Sequence, residues 1–281
     1  MTSGRGPRSG DESPPVTIVI PSFNHGSFIS EALDSILSQD YESIHCIVVD
    51  GGSTDGTLAI LKSYGDSIQW VSETDRGLYE AVNKGWAMAR GEWLGWVNCD
   101  DKLCPGAISR LMQAALPEDP PVDLVYGDYY RFAADGGILE EVRCGAPDGA
   151  SMLRNGNCIF IGASLVRRSL LERIGFFDLR YQLAADYDFL VRAVSSGRAL
   201  HLAEPVSMFR MHGDSKSQNS RWQMWAETLA ISEALSGRRY PQLRARYLLD
   251  RALHAVASDR LLWHRDLVPL RRRLRRLWTR P

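Results

Sequence analysis

The sequence predicts an α/β fold with a mostly parallel, Rossmann-like sheet flanked by helices. Short apolar, β-branched runs at residues 16–21, 44–49 and 68–71 are typical of buried strands. Amphipathic stretches at 28–39 and 57–64 lie between them and carry the spacing of helices. Each strand run ends in a polar or glycine-rich loop. Strands that alternate with helices in this way favour parallel pairing in a doubly wound sheet.

A further apolar run brings two adjacent carboxylates to the tip of a strand. Residues 93–101 read Trp-Leu-Gly-Trp-Val-Asn-Cys-Asp-Asp, so Asp100 and Asp101 follow directly on the strand, and Pro105 suits the first turn of the next helix. Ligands of open α/β sheets bind outside the carboxyl ends of the strands. Neighbouring carboxylates repel each other unless a cation lies between them. The pair indicates a divalent cation site, with a solvated turn as the alternative.

The second strand run ends in a glycine-rich loop, residues 50–56, that reads Asp-Gly-Gly-Ser-Thr-Asp-Gly. These glycines do not fit the dinucleotide fingerprint, which disfavours a nicotinamide-dependent oxidoreductase, and no phosphate-binding P-loop motif occurs. The carboxylate of Asp50 suits the N–H and hydroxyl donors of a base or ribose, while Ser53 or Thr54 suits the cap of the next helix. A capped turn without a ligand is the alternative.

Successive blocks of the chain resemble those of the family 2 glycosyltransferases, which have the GT-A fold. The blocks lie in the family's order at residues 16–24, 48–57, 73–85, 89–101, 175–178, 184–192 and 209–212. The resemblance implies an enzyme that transfers a sugar from a nucleotide-diphosphate donor to an acceptor hydroxyl. Inversion at the anomeric carbon is part of that implication.

The resemblance also implies which residues bind the donor and its cation. Asp50 matches the carboxylate that contacts base and ribose, and residues 98–100 occupy the place of the metal-binding D-x-D. Asp100 would reach a Mg²⁺ or Mn²⁺ ion, and Asp101 would support the turn or bind a metal-bound water. Asn98 departs from the acidic residue of that motif and adds no charge, but its amide can bond ribose or a metal-bound water. Cys99 lies between them.

The resemblance implies further contacts with the sugar donor, in both halves of the chain. Pro21, Arg76 and Asn83 match residues along the nucleotide pocket, with helix capping or surface solvation as the alternative for Arg76 and Asn83. Arg210 and Lys216 lie in a segment that closes over the donor phosphates in relatives. His212 lies in the same segment. It would either complete the coordination shell of the cation or have only a structural role.

The catalytic base is expected in the acceptor half. Asp186 matches the Asp of the family's Glu-Asp pair, although Ala185 replaces the Glu. Its place near the start of a helix is expected to keep the carboxylate ionised and ready to accept a proton. A helix N-cap is the alternative role for Asp186, and Asp188 would be the base if the register were shifted by two residues.

The composition and net charge of the chain restrict its possible partners and cellular location. The 281 residues carry 33 basic and 34 acidic side chains, a balance that argues against nucleic-acid binding. The five cysteines form no zinc-binding pattern, and we expect reduced thiols in a cytoplasmic protein. No apolar run approaches the ~20 residues of a membrane span. Peripheral contact with the inner face of a membrane stays an open alternative.

The predicted domain organisation has three parts. Residues 1–14 form a disordered tail, 15–217 the GT-A domain and 218–281 a helical extension. Within the domain, 15–101 would be the nucleotide-sugar half and 102–217 the acceptor half. In the extension we expect helices at residues 222–235 and 247–262. Residues 267–281 place a Leu and Trp stripe opposite five arginines, which favours an anionic membrane surface, a helix packed on the domain or a homodimer contact.

The predicted function is metal-dependent, inverting glycosyl transfer in glycan, polysaccharide or glycoconjugate biosynthesis. The partners are a nucleotide-diphosphate sugar and an acceptor that is a saccharide, a lipid-linked saccharide or another hydroxyl compound. A sugar-nucleotide or glycan-binding protein without catalytic activity is the alternative.

Overall fold

The computed structural model describes residues 13–212 and 220–257 of the chain. The predicted basic tail at 267–281, Lys216 and most of the predicted N-terminal tail lie outside these residues. Among the helices that the structure describes, none is long and apolar enough to cross a membrane.

The first half of the chain forms the parallel part of the sheet, in the order β3-β2-β1-β4. Its strands are β1 (Val16–Ser22), β2 (Ile44–Asp50), β3 (Gln69–Ser72) and β4 (Trp93–Trp96). Three helices connect them, namely α1 (Ile29–Leu37), α2 (Thr57–Ser63) and α3 (Leu78–Met88). This alternation confirms the strands and helices predicted from the periodicity of the sequence.

The second half continues the same sheet with mixed pairing. Its strands are β5 (Lys102–Leu103), β6 (Leu124–Ala133), β7 (Ile138–Val142), β8 (Ser164–Arg167) and β9 (Ala199–Met211). After β4 the order runs β8-β6-β9-β5, and β7 pairs with β6. β8 runs antiparallel to both of its neighbours, whereas β6 and β9 are parallel. The helices of this half are α4 (Ala107–Ala115), α5 (Gly149–Asn155), α6 (Arg168–Ile174) and α7 (Ala185–Ser196).

The residues predicted as a helical extension form α8 (Arg221–Ser236) and α9 (Pro241–Ala257). The second of these helices starts six residues before the predicted position, because Pro241 fits its first turn. Helix α8 buries Thr228, Ile231 and Ser232, which recur at helical spacing and place one of its faces against the domain.

Two apolar layers cover the two faces of the sheet, and β1 contributes to both. Ile18 and Ile20 pack with α1 and α4 on one face, while Val19 packs with α3 and α7 on the other. Successive side chains of a strand point to opposite faces, so a strand between two helical layers is apolar throughout. All seven residues of β1 are buried for this reason.

The predicted position of Pro105 in the first turn of a helix is wrong by two residues. Helix α4 begins at Ala107, after Gly106 in the left-handed region with φ 67°. Residues 102–103 instead form β5, because β9 offers them backbone partners. This short strand carries the chain away from the two aspartates.

Helix α3 approaches β1 closely at Gly85, where a Cβ would lie 2.4 Å from Cγ1 of Val19. Because Val19 is buried and β-branched, it has no room to move aside. We expect Gly85→Ala to lower the free energy of unfolding by about 1–3 kcal/mol in chemical denaturation. Gly56→Ala is the control, since Gly56 has a φ of −73° and open space around it. An equal loss in both variants would contradict this account.

Candidate active site

The loops that follow β1 and β2 are bound to each other at the carboxyl edge of the parallel strands. The backbone N–H of Asn24 donates to Oγ of Ser53 at 2.7 Å, and Oδ1 of Asn24 accepts from the N–H of Thr54 at 2.9 Å. The edge residues Ser22 and Asp50 are register partners. The two loops therefore form one surface where ligands of such sheets bind.

The carboxylate of Asp50 stabilises this surface through hydrogen bonds to the loop residues. It is fully buried and accepts hydrogen bonds from four donors, the N–H of Gly52 (3.1 Å), the N–H of Ser53 (2.9 Å), Oγ of Ser53 (2.5 Å) and Oγ of Ser72 (2.6 Å). These bonds shape the glycine turn, and a contact with base or ribose stays a prediction. The predicted capping role of Ser53 or Thr54 is wrong, because Asp55 accepts from the N–H of Thr57 at the start of α2.

Phe23 is a candidate that the sequence reasoning missed. Its ring lies at the tip of β1 with 56% of the residue exposed, and a Cβ on Gly51 would lie 3.4 Å from it. An exposed flat ring beside a glycine backbone is suited to stacking on a base. The signal was present, because an aromatic residue follows a buried strand directly in a loop of turn-forming residues.

The loop after β4 brings the predicted cation ligands together. Oδ2 of Asp100 lies 2.9 Å from Nε2 of His212, and Nδ2 of Asn98 donates to Oδ2 of Asp101 at 2.8 Å. Burial and the neighbouring charge of Asp100 raise the pKa of Asp101 well above its usual range. Carboxylate oxygens with an imidazole nitrogen are a donor set that fits Mn²⁺, and the carboxylates alone fit Mg²⁺.

The protein would supply only part of the shell of such an ion. Within residues 13–212 and 220–257, no three His, Cys, Asp or Glu side chains are grouped closely enough to hold a metal by themselves. Magnesium sites of this kind use one or two carboxylates together with the phosphates of the substrate. The arrangement at Asp100 and His212 is compatible with that type of site.

Arg210 has a different role from the predicted pyrophosphate contact. It is 3% exposed, and its Nε donates to the carbonyl of Asp100 while its backbone N–H donates to Oδ1 of Asp101, both at 2.8 Å. Its Nη2 donates to Glu31 at 2.9 Å. The guanidinium packs over two aromatic rings, those of Phe28 and Phe132. These interactions commit Arg210 to holding the two aspartates in place.

Asn83 also differs from its predicted place along the nucleotide pocket. Its side-chain amide donates to the carbonyl of Phe177 at 2.9 Å and accepts from the N–H of Phe177 at 3.0 Å. Both ends of the amide are used to tie α3 to the segment around Phe177. Arg76 is largely exposed and pairs with Glu80 at 3.2 Å, which is the surface alternative given for it above.

Two other predicted donor-binding residues are buried. Pro21 lies inside β1 opposite Val49 of β2. Cys99 is 4% exposed, and burial raises the pKa of its thiol well above the usual range. A protonated, buried thiol is a poor ligand, so only the backbone of Cys99 is suited to a contact.

Asp186 is the second residue of α7, and its carboxylate is partly buried. Oδ1 accepts a hydrogen bond from the hydroxyl of Tyr79 at 3.1 Å. Burial raises the pKa of Asp186 to about 6, although Tyr79 and the backbone N–H of Tyr187 oppose this change. Burial therefore outweighs the helix N-terminus, but a pKa of about 6 still leaves Asp186 mostly ionised at neutral pH. The N-cap alternative is wrong, because Ala184 occupies the N-cap position.

The carboxylate of Asp188 makes an ion pair that stabilises the local structure. It is 4% exposed and accepts from Nε of Arg192 at 2.8 Å. Nη2 of Arg192 donates in turn to the carbonyl of Phe176 at 2.9 Å. This chain of interactions fixes the loop before α7. The carboxylate of Asp188 is thus held in an ion pair with Arg192, whereas that of Asp186 bonds the hydroxyl of Tyr79.

Tyr79 connects Asp186 to the edge of the sheet. Its ring makes an edge contact with Trp96 at the end of β4, with centroids 5.9 Å apart, and also contacts Phe177. Nothing in the sequence indicates this role, because Tyr79 belongs to the apolar face of an amphipathic helix. Through this aromatic cluster, the candidate base is linked to the end of β4, the strand that precedes the loop of Asp100.

A profile of the family described as glycosyl transferase family 2 matches residues 17–175. This match covers more than half of the chain and includes β1–β4 and the aspartate pair. The chain therefore belongs to glycosyl transferase family 2.

Curated relatives agree with this assignment. The chain is 34% identical over 191 residues to the PGL/p-HBAD biosynthesis glycosyltransferases of Mycobacterium tuberculosis and Mycobacterium bovis, which covers 66% of this chain and 71% of theirs. It is 30% identical over 217 residues to an uncharacterized glycosyltransferase of Rickettsia typhi, covering 74% of this chain and 67% of the relative.

Solved structures support the fold. Residues 1–349 of S. aureus TarS in complex with UDP-GlcNAc align with a TM-score of 0.62 at 17% identity, covering 77% of this chain and 66% of that one. The mannosyltransferase PcManGT of Pyrobaculum calidifontis in complex with GDP-Man and Mn²⁺ aligns with a TM-score of 0.62 at 22% identity, covering 98% of this chain and 87% of the neighbour. The predicted GT-A fold is confirmed by these likenesses.

The hydrogen bond from Tyr79 gives a test of the environment of Asp186. Because it stabilises the ionised carboxylate, Tyr79→Phe should raise the pKa of Asp186 further above its usual value. The acidic limb of the pH profile of kcat/KM should then move to higher pH, since the carboxylate form is lost earlier on acidification. Tyr64→Phe is a control, because Tyr64 bonds the distant Asp34. An unshifted limb in Tyr79→Phe would contradict the assignment.

Proposed function

We propose that this family 2 enzyme is an inverting, metal-dependent glycosyltransferase in which Asp186 is the catalytic base. The observation that carries the proposal is the contrast between two carboxylates of α7. Asp188 is committed to an ion pair with Arg192, whereas Asp186 has one side-chain hydrogen bond, from Tyr79. A pKa of about 6 leaves Asp186 mostly ionised near neutral pH and still basic enough to take a proton.

The donor is a nucleotide-diphosphate sugar. Two structural neighbours support this class, since TarS is described with UDP-GlcNAc and PcManGT with GDP-Man. In this chain, the base would stack on Phe23 beside the glycine turn held by Asp50. Arg76 is exposed at the start of α3 and available for a contact with the donor.

The divalent cation would be held by Asp100 together with His212, and Asn98 and Asp101 would orient the loop around it. When bound, a cation supplies charge that stabilises the leaving diphosphate. The Mn²⁺ complex of PcManGT supports this choice of cofactor. Lys216, outside the described residues, keeps its predicted contact with the donor phosphates.

The transfer is a single displacement at the anomeric carbon. Asp186 takes the proton of the acceptor hydroxyl as its oxygen forms the new C–O bond, and the bond from that carbon to the diphosphate oxygen breaks. Attack from the face opposite the leaving group inverts the configuration. The protein contributes by positioning the reactants and by keeping the Asp186 carboxylate in a partly buried environment.

The acceptor is the hydroxyl of a saccharide, of a lipid-linked saccharide or of another compound, and the product belongs to glycan, polysaccharide or glycoconjugate biosynthesis. The mycobacterial relatives support a glycoconjugate, because they are named for PGL/p-HBAD biosynthesis. A cytoplasmic location stays a prediction.

The two aspartates of α7 make a matched pair of variants. Asp186→Asn should preserve donor binding and lower kcat by about a hundredfold or more, because an amide of the same shape accepts no proton. Asp188→Asn should retain most of the turnover and instead lower the melting temperature, since it weakens the ion pair with Arg192. Initial rates, donor titration and thermal melting measure these effects. A reversed order of the two rates would make Asp188 the base.

The cation site is tested at Asp100. Nucleotide-diphosphate affinity should increase with Mg²⁺ or Mn²⁺ in the unmodified enzyme and lose this dependence in Asp100→Ala. Losing that contact should cost ~3 kcal/mol of transition-state stabilisation, or about a hundredfold in rate. Asp66→Ala, in an exposed turn of the same half, is the control. Full activity in the presence of a chelator would refute the metal assignment.

A further inference from the structure

A carboxylate from outside the matched region binds the chain just before α7. Glu227 of α8 accepts three hydrogen bonds from consecutive backbone N–H groups, at 3.0 Å from Gln182, 2.8 Å from Leu183 and 2.9 Å from Ala184. Successive N–H groups that point to one place form a concave anion site. Here the anion is the side chain of another helix of the same protein.

The three bonded residues end at the N-cap of α7, two positions before Asp186. Gln182 also faces the start of α3, where its Oε1 would lie 3.8 Å from a Cβ on Gly77. Together with Tyr79, it lines a small cavity. Glu227 therefore fixes the segment that sets the direction of α7. It also fixes Gln182 in the wall of the cavity beside Tyr79, the hydrogen-bond partner of Asp186.

A second contact keeps α8 and α7 together. The hydroxyl of Ser232 lies 2.8 Å from the hydroxyl of Tyr187, which donates to the carbonyl of Met152 at 2.9 Å. Ser232 is 1% exposed and lies about one turn and a half after Glu227 on the same helix. Helix α8 thus contacts this region at two separate points, one just before α7 and one at the hydroxyl of Tyr187, the residue that follows Asp186.

We propose that Glu227 is a positioning residue for the catalytic base and that α8, beyond the matched residues 17–175, completes the active site. The proposal rests on the role of Asp186 proposed above. It gives the C-terminal helices a part in the reaction, although Glu227 itself touches neither donor nor acceptor.

The charge of Glu227 provides a readout that a purely structural role would not change. The titratable side chains that influence Asp186 are Tyr79 from α3 and Glu227 from α8, and the negative charge of Glu227 raises the pKa of Asp186. Removing this charge lowers the pKa of Asp186, in the direction opposite to that of Tyr79→Phe.

The experiment compares Glu227→Gln with the unmodified enzyme over a range of pH. The amide keeps the volume and one acceptor oxygen but removes the charge and places an NH₂ group near backbone donors. We expect the acidic limb of kcat/KM to move to lower pH, and kcat at the optimum to fall about tenfold as Asp186 loses its alignment. Nucleotide-diphosphate affinity should stay within about twofold, because the donor loops lie elsewhere.

Glu233→Gln is the matched control. Glu233 belongs to the same helix, but its carboxylate pairs with Arg244 of α9 at 2.7 Å instead of binding the segment before α7. This variant should leave the rate, the pH profile and the donor affinity unchanged. Glu227→Ala should resemble Glu227→Gln with a larger loss of turnover, and if it fails to fold, Glu227→Gln alone decides the question.

The outcomes separate this inference from the proposed function. If Asp186→Asn keeps full turnover, the base assignment fails and the role of Glu227 fails with it. If Asp186→Asn is inactive while Glu227→Gln has the rate and pH profile of the unmodified enzyme, only the inference about Glu227 is overturned. A lower rate with an unmoved acidic limb would also overturn it, since that result describes a packing role alone.

Discussion

The interaction on which the site depends most is the one between Arg210 and the loop that follows β4. A single buried guanidinium joins the end of β9 to the backbone of Asp100, and the backbone N–H of the same residue holds the carboxylate of Asp101. The guanidinium also pairs with the half-exposed Glu31, which compensates its buried charge. β9 thereby supplies a hydrogen-bond donor to each aspartate, one to the backbone of Asp100 and one to the carboxylate of Asp101.

The hydrogen bonds that each carboxylate accepts support the proposed division of roles. Asp50 accepts four hydrogen bonds, which shape the glycine turn, and Glu227 accepts three, which shape the segment before α7. Asp186 has a single side-chain donor, and Asp100 faces an imidazole. A carboxylate with unused lone pairs is the one that can accept a proton or a cation. This distinction depends on the three-dimensional arrangement, because the sequence does not show which donors each carboxylate meets.

Local patterns predicted the first half of the fold and the place of the aspartate pair, because strand periodicity and loop chemistry act over a few residues. The second half of the fold was harder to predict from local patterns. The antiparallel β8 and the two-residue β5 exist only because distant strands pair with them. The true role of Arg210 depends on Glu31, 179 residues away in the chain. The pKa of Asp186 depends on burial, and no motif in the helix of Glu227 distinguishes this residue in the sequence.

The link between β9 and the aspartate loop also sets the order in which the site is assembled during synthesis. Arg210 follows Asp101 by 109 residues. At translation rates of roughly 5–20 residues per second, the two carboxylates wait roughly 5–22 s on the ribosome for their partner. The proposed cation site therefore becomes complete only when nearly the whole domain has emerged.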